Sequence, residues 1–184
     1  DLTPGDLPII RDLCADPFAD RAWAIADHPM AAPLTVAPQF APGHALSLAG
    51  DDNDLTALAF GTIIANHQPF QRIFYAARSA PLSPGGEPIR SLGFLSMLTG
   101  DTTRFIVGLP AARALAMDRF TGDLILAGGT WIAQVDAEAV TPQLVAAIDL
   151  RTLFDDAAAT IDLIDVTTDG IGRILAVSTD GQLV

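Results

Sequence analysis

Apolar residues in this chain come in short apolar or alternating runs bounded by Gly, Pro and Asp. Four of these runs resemble one another: Arg21-Ala22-Trp23-Ala24-Ile25, Arg72-Ile73-Phe74-Tyr75-Ala76, Asp123-Leu124-Ile125-Leu126-Ala127 and Arg173-Ile174-Leu175-Ala176-Val177. They recur at spacings of 51, 51 and 50 residues, the signature of an internal repeat. The flanks agree. LCADPFAD (Leu13 to Asp20) and LAMDRFTG (Leu115 to Gly122) share Leu, Asp and Phe at the same offsets. IANHQPFQ places His67 where those segments carry Asp16 and Asp118, and DVTTDGIG places Thr168 there, followed by the turn-like pair Asp169-Gly170. Each unit therefore predicts a strand, a short turn and a second strand.

Further strand-like runs follow each pair: LTVAPQF and HALSLAG in the first unit, IRSLGFLSM and RFIVGL in the second, TWIAQVD and QLVAAIDL in the third. Four short strands per unit of ~50 residues is the pattern of a β-propeller blade. The expected fold is all-β and propeller-like, with about three and a half four-stranded blades and no second domain. The blades run approximately over residues 7–50, 55–109, 112–150 and 161–184, the last incomplete. A turn or two of helix is expected within residues 149–159. The Asp180-Gly181 pair suits a two-residue hairpin turn, placing Gln182 to Val184 at the start of a third strand. An unclosed ring would leave a strand edge and an apolar face in water. The sequence thus reads as part of a larger ring, with ~2 to 4 further blades elsewhere in the same protein or in partner chains. The alternative is a four-bladed ring completed by the segment Asp1 to Leu7.

The turn-then-strand segments MDRFTGDLILAGG and TTDGIGRILAVS resemble blades of the NHL and SMP-30/gluconolactonase-like propellers. That resemblance implies either a binding propeller or a hydrolase with a divalent metal held by Glu, Asn and Asp on inner strands. Asp162 and Asp54 match such a set and Asn53 lies beside them, but Glu87 and Glu138 fall at loop or outer-strand positions.

Composition narrows the functions. Half of the 184 residues are hydrophobic, enough for a sizeable core. All ten basic residues are arginine, set against 22 Asp and Glu, for a net charge of −12. Such a field repels phosphate backbones, so nucleic acid is not the expected partner. The lack of lysine beside abundant Ala, Asp and Leu resembles the codon bias of a GC-rich bacterial source. No apolar run approaches the ~18 residues of a membrane-spanning helix. The first residue is Asp1, which points to a processed start, and with the acidity to an extracytoplasmic setting, or else to a portion of a longer chain.

Candidate chemistry is sparse. The one cysteine, Cys14, has no partner for an internal disulfide and reads as a buried, inert thiol. No nucleophile elbow, phosphate loop or paired-histidine zinc motif occurs. The candidate ligand-binding residues are Arg11, Arg113, Asp162, Asp54 and His28, on the face formed by the loops that lead into each first strand and from each second strand to the third. Arg11 and Arg113 share a register and suit a carboxylate or phosphate group; alternatively they pair with Asp12 and Asp162 within the fold. The run GDDNDL, with Asp51, Asp52 and Asp54, has the oxygen density calcium prefers, or is a solvated turn. Asp16, His67 and Asp118 fit turn-capping roles. His28 and His44 read as ordinary surface histidines, and the Pro/Gly-rich stretch Arg78 to Arg90 as a loop that either contacts a partner or decorates the ring. The reading that follows is a non-catalytic propeller module that binds a protein or small ligand, with the metal-dependent hydrolase as the alternative.

Overall fold

The computed structural model describes residues 10–17, 21–26, 30–35, 41–42, 46–47, 54–65, 67–79, 89–107, 109–110, 112–139, 142–153, 161–181 and 183–184. His28, His44, Asp51, Asp52, Asn53, Glu87 and most of the loop between Arg78 and Arg90 lie outside these residues. The described segments form four antiparallel sheets in chain order. The first contains β1 (Ile10–Asp16), β2 (Arg21–Ala26), β3 (Met30–Thr35), β4 (Ala41–Pro42) and β5 (Leu46–Ser47), the last two both pairing with β3. The second is a meander of β6 (Asp54–Ala65), β7 (Gln68–Ser79), β8 (Ile89–Ser96) and β9 (Thr102–Val107). The third repeats it with β10 (Ala114–Met117), β11 (Leu124–Gly128), β12 (Trp131–Asp136) and β13 (Gln143–Asp149). The fourth pairs β14 (Leu163–Thr168) with β15 (Ile174–Ser178). A single 3-10 turn, Leu150–Thr152, follows β13 inside the stretch where helix was expected.

The first strand of each sheet touches the first strand of the next: β1 against β6, β6 against β10, β10 against β14. This is the radial order of propeller blades, with β1, β6, β10 and β14 innermost. The four repeated apolar runs supply the second strands, β2, β7, β11 and β15. β2, β7 and β11 read as almost continuous apolar segments because both of their faces are buried, which hides the period-2 alternation of a half-exposed strand, while β15 is only partly buried. In β7, Ile73, Tyr75 and Ala77 pack with Trp23 and Ile25 of the first blade, while Phe74 and Ala76 pack with Leu124 and Leu126 of the third. In β11 the parity continues: Leu124 and Leu126 face the second blade, Ile125 and Ala127 face Leu163, Val166 and Ala176 of the fourth. The core is thus a series of seams between blades rather than one central mass.

Phe74, fully buried, anchors the seam between blades two and three, with its ring edge-on to Phe94 at 6.1 Å and to Phe105 at 6.3 Å between centroids. Arg72 lays its guanidinium carbon 3.9 Å from the centre of the Phe94 ring, and desolvation lowers its pKa from the usual arginine value.

Hydrogen bonds from the innermost strands also tie neighbouring blades together through backbone groups. Asp12 accepts hydrogen bonds from the amides of Leu13 (2.7 Å) and Leu58 (2.6 Å), joining blades one and two. Thr56 donates its hydroxyl to the Ala112 carbonyl at 2.8 Å, joining blades two and three. The Leu163 amide donates to the Gly129 carbonyl at 2.7 Å, joining three and four.

The turns between first and second strands revise one sequence alignment. Asp118 receives the Phe120 amide at 2.9 Å and the Thr121 hydroxyl at 3.0 Å, as a capping role requires. In the fourth blade the equivalent residue is Asp169, not Thr168: its side chain receives the Ile171 amide at 3.0 Å. The backbone agrees, since Gly122 bonds back to Asp118 and Gly172 back to Asp169. Both glycines have positive φ, +79° and +81°, the left-handed conformation that closes such turns without a Cβ penalty. The fourth turn is one residue shorter than the third, which displaced the match by one position. His67 sits at φ 58° in the turn joining β6 to β7, whose ends Ala65 and Gln68 pair directly.

The final hairpin is longer than the two-residue turn expected from Asp180-Gly181. The Gly181 amide donates to the Ser178 carbonyl at 2.9 Å, so Thr179 and Asp180 occupy the bend. Leu183 then pairs with Val177, and Val184 exchanges backbone bonds with Ala176 at 2.8 and 2.9 Å. A third strand therefore begins beside β15, as the sequence predicts.

Candidate functional site

Two faces of the arc carry loops. The first, called the entry face here, holds the starts of the innermost strands and the junctions between second and third strands. The expected ligand-binding residues Arg11, Asp54, Arg113 and Asp162 gather on it, but they bind one another. Arg11 pairs with Asp54 at 2.7 Å, and Asp54 also receives Arg78, so one carboxylate is shared by two guanidiniums. Arg113 pairs with Asp162 at 2.6 Å. Arg11 and Arg113 are equivalent in the repeat, and each reaches the carboxylate that opens the next blade. These are inter-blade clamps repeated once around the arc. Of the two pairings expected within the fold, Arg113 with Asp162 is formed. Arg11 pairs with Asp54, while Asp12 is turned to backbone amides. Asp54 and Asp162 are thus each engaged by arginine. Among the described residues no group of three or more His, Cys, Asp and Glu side chains gathers that could hold an ion. His28 lies outside the described residues.

Also on the entry face, between blades two and three, is a cavity of about 250 Å³ lined by Thr56, Arg78, Arg90, Leu109, Ala112 and Arg113. Three of the chain's ten arginines line it.

The opposite, turn face carries the turns between first and second strands. Here the innermost strands enclose an axial cavity of about 710 Å³, walled by Asp12 to Ala15, Leu58 to Phe60, Leu115 to Met117 and Asp165 to Thr168. Arg119, Phe120, Asp169 and Gly170 stand at its mouth. Burial raises the Asp12 carboxyl above the ordinary carboxylate value against the lowering effect of its two amide bonds, and the Asp165 charge adds to the rise. Burial, with Asp12 and Asp16 nearby, pushes the Cys14 thiol up to about 12, and the side chain is half-buried where the sequence reading expects a buried one.

Sequence reasoning missed what this face displays. Phe120 is 75% exposed and Ile171 70% exposed, at equivalent positions of the third and fourth turns. Ile64 at the second turn and Leu98 in the turn from β8 to β9 are likewise exposed. The available signal was the Phe shared by LCADPFAD and LAMDRFTG, which reads as a core position, whereas the third turn projects Phe120 outward.

An arc of radially stacked four-stranded antiparallel sheets, open at the axis, defines a β-propeller-like protein. Among solved structures the chain is similar to U3-55K, a WD40 β-propeller, with a TM-score of 0.61 and 12% sequence identity over 96% of this chain. The chain spans 48% of the length of that structure. No protein-family model matches the sequence, and no curated protein matches it. The likeness therefore resides in the fold. Among the described residues no helix is long and apolar enough to cross a membrane.

Proposed function

We propose that this chain is a non-catalytic binding module whose turn face docks a protein segment carrying apolar and basic side chains. The observation that carries this reading is the set of exposed apolar residues on the turn face, Ile64, Leu98, Phe120 and Ile171, with Phe120 at the mouth of an axial cavity walled by Asp12 and Asp165. Single exposed apolar residues are common, but here they sit on turns of consecutive blades that the fold directs to one side. Acidic groups in the opening and a net charge of −12 favour a cationic partner over an anionic one. The capped turns hold these residues in place, so ordering them on binding costs little entropy.

The test is selection from a displayed peptide library, with the double variant Phe120→Asp/Ile171→Asp as counter-target. Peptides enriched in basic and apolar residues that bind the native chain and lose at least tenfold in affinity toward the variant are expected. Selected peptides that bind both proteins equally, or that are acidic, would overturn the assignment of the turn face. A circular dichroism spectrum and melting curve matching the native protein establish that the variant is folded.

A further inference from the structure

On the entry face, Arg78 of β7 and Arg90 of β8 are direct cross-strand partners. Side chains so opposed have Cβ atoms about 4.5–5.5 Å apart, and like charges there repel. The same cavity brings Arg113 alongside them. Asp54 is shared by Arg11 and Arg78, Asp162 serves Arg113, and among the described residues nothing pairs with Arg90. Among the described residues the cleft between blades two and three is lined by three guanidiniums, those of Arg78, Arg90 and Arg113, within a chain of net charge −12. The like-charged pair Arg78 and Arg90 works against strand pairing, which a bound anion would offset. A cavity of about 250 Å³ beside it offers room for a small group, and its floor is held by the Thr56 bond to the Ala112 carbonyl.

We propose that this cleft between blades two and three is an oxyanion-binding site for the carboxylate or phosphoryl group of a small ligand, with Arg90 as its principal ligand and Arg78 and Arg113 as flanking donors. Asp54 and Asp162 orient the flanking guanidiniums and leave their remaining N–H groups for the anion. An anion seated there also relieves the repulsion between Arg78 and Arg90. The site is separate from the turn face and stands or falls independently of it.

The experiment is isothermal titration and thermal melting of the whole chain at low salt with inorganic phosphate and, in a second arm, succinate. Saturable binding of at least one anion with a rise in melting temperature is expected. Arg90→Gln should weaken it at least tenfold, because a charge-assisted bond is removed. Without anion, Arg90→Gln should melt no lower than the native protein, because a like-charge pair has been removed. Asp54→Asn should tighten anion binding by raising the local charge. Phosphate alone binding assigns a phosphoryl group, succinate alone a carboxylate, and both the shared oxyanion chemistry. No binding of either at about 20 mM, or equal binding by native protein and Arg90→Gln, overturns the proposal.

Discussion

Gly93 of β8 lies directly across from Tyr75 of β7, and the phenol ring fills the space a side chain at position 93 would occupy. A Cβ at Gly93 would stand 2.4 Å from Tyr75 Cζ and 2.5 Å from its hydroxyl oxygen, and 2.9 Å from the Thr103 carbonyl oxygen of β9. Tyr75 is 1% exposed in the seam with blade one, so its ring has nowhere to retreat. Gly93 is not in the left-handed region, so alanine suits its backbone and restricts the unfolded chain, a gain of about 0.5 kcal/mol. Overpacking works against that and costs about 1–3 kcal/mol. With one close neighbour a backbone atom, the upper part of the range applies, and Gly93→Ala should lose about 2–3 kcal/mol net. Tyr75→Ala should lose about 3–5 kcal/mol by cavity formation. The double variant should fall short of the sum by about 1–2 kcal/mol, since truncating the ring removes two of the three clashes. Urea unfolding at pH 7, followed by the fluorescence of Trp23 and Trp131, measures all four proteins provided the denaturant slope is unchanged. A Gly93→Ala loss below about 0.5 kcal/mol, or strict additivity, would refute the packing argument.

Phe74→Ala should destabilise by about 3–5 kcal/mol, measured in the same way, whereas truncating the exposed Leu98 should change stability by less than about 0.5 kcal/mol. Asp118→Ala removes the acceptor of two turn hydrogen bonds and should cost about 1–2 kcal/mol, with faster amide exchange at Phe120 as its local signature. The pH dependence has two parts. Asp12 has a raised folded pKa, so its contribution to stability is greatest at low pH and is lost as pH rises from the ordinary carboxylate value through that raised one. Asp149, forked by Arg151, and Asp169, bonded to Arg173, are held low, so their contributions are present above the ordinary carboxylate value and are lost on further acidification. Urea midpoints should therefore rise from pH 7 toward the upper carboxylate range and fall below it. A monotonic decline from pH 7 would contradict the Asp12 assignment.

The repeat was legible because inward burial on both faces forces apolar runs of fixed length, and their spacing survives even where no residue is identical. Arg21, Arg72, Asp123 and Arg173 mark second strands in all four sheets. Turn equivalence was harder to read, since Asp169 does its capping one residue later than the alignment from Asp118 places it, and only the backbone bonds reveal the shift. The candidate site was legible as a set but not as chemistry. Sequence places Arg11, Asp54, Arg113 and Asp162 on one face, yet which arginine meets which carboxylate depends on the neighbouring blade. Arg90 drew no attention because its opposition to Arg78 depends on strand register, which the intervening loop conceals.

The parity of β7 has a mechanical consequence. Its odd-numbered core residues press on blade one and its even-numbered ones on blade three, so the strand is a wall shared by two rooms. A small rotation of that wall cannot loosen one room without compressing the other. An anion drawing Arg78 and Arg90 together would pull on the end of this wall, and the strain would be felt beyond it, at Trp23 and Ile25, which do not line the cleft but pack with Ala77, which does. The emission of Trp23 would then report occupancy of a site on the far side of the strand.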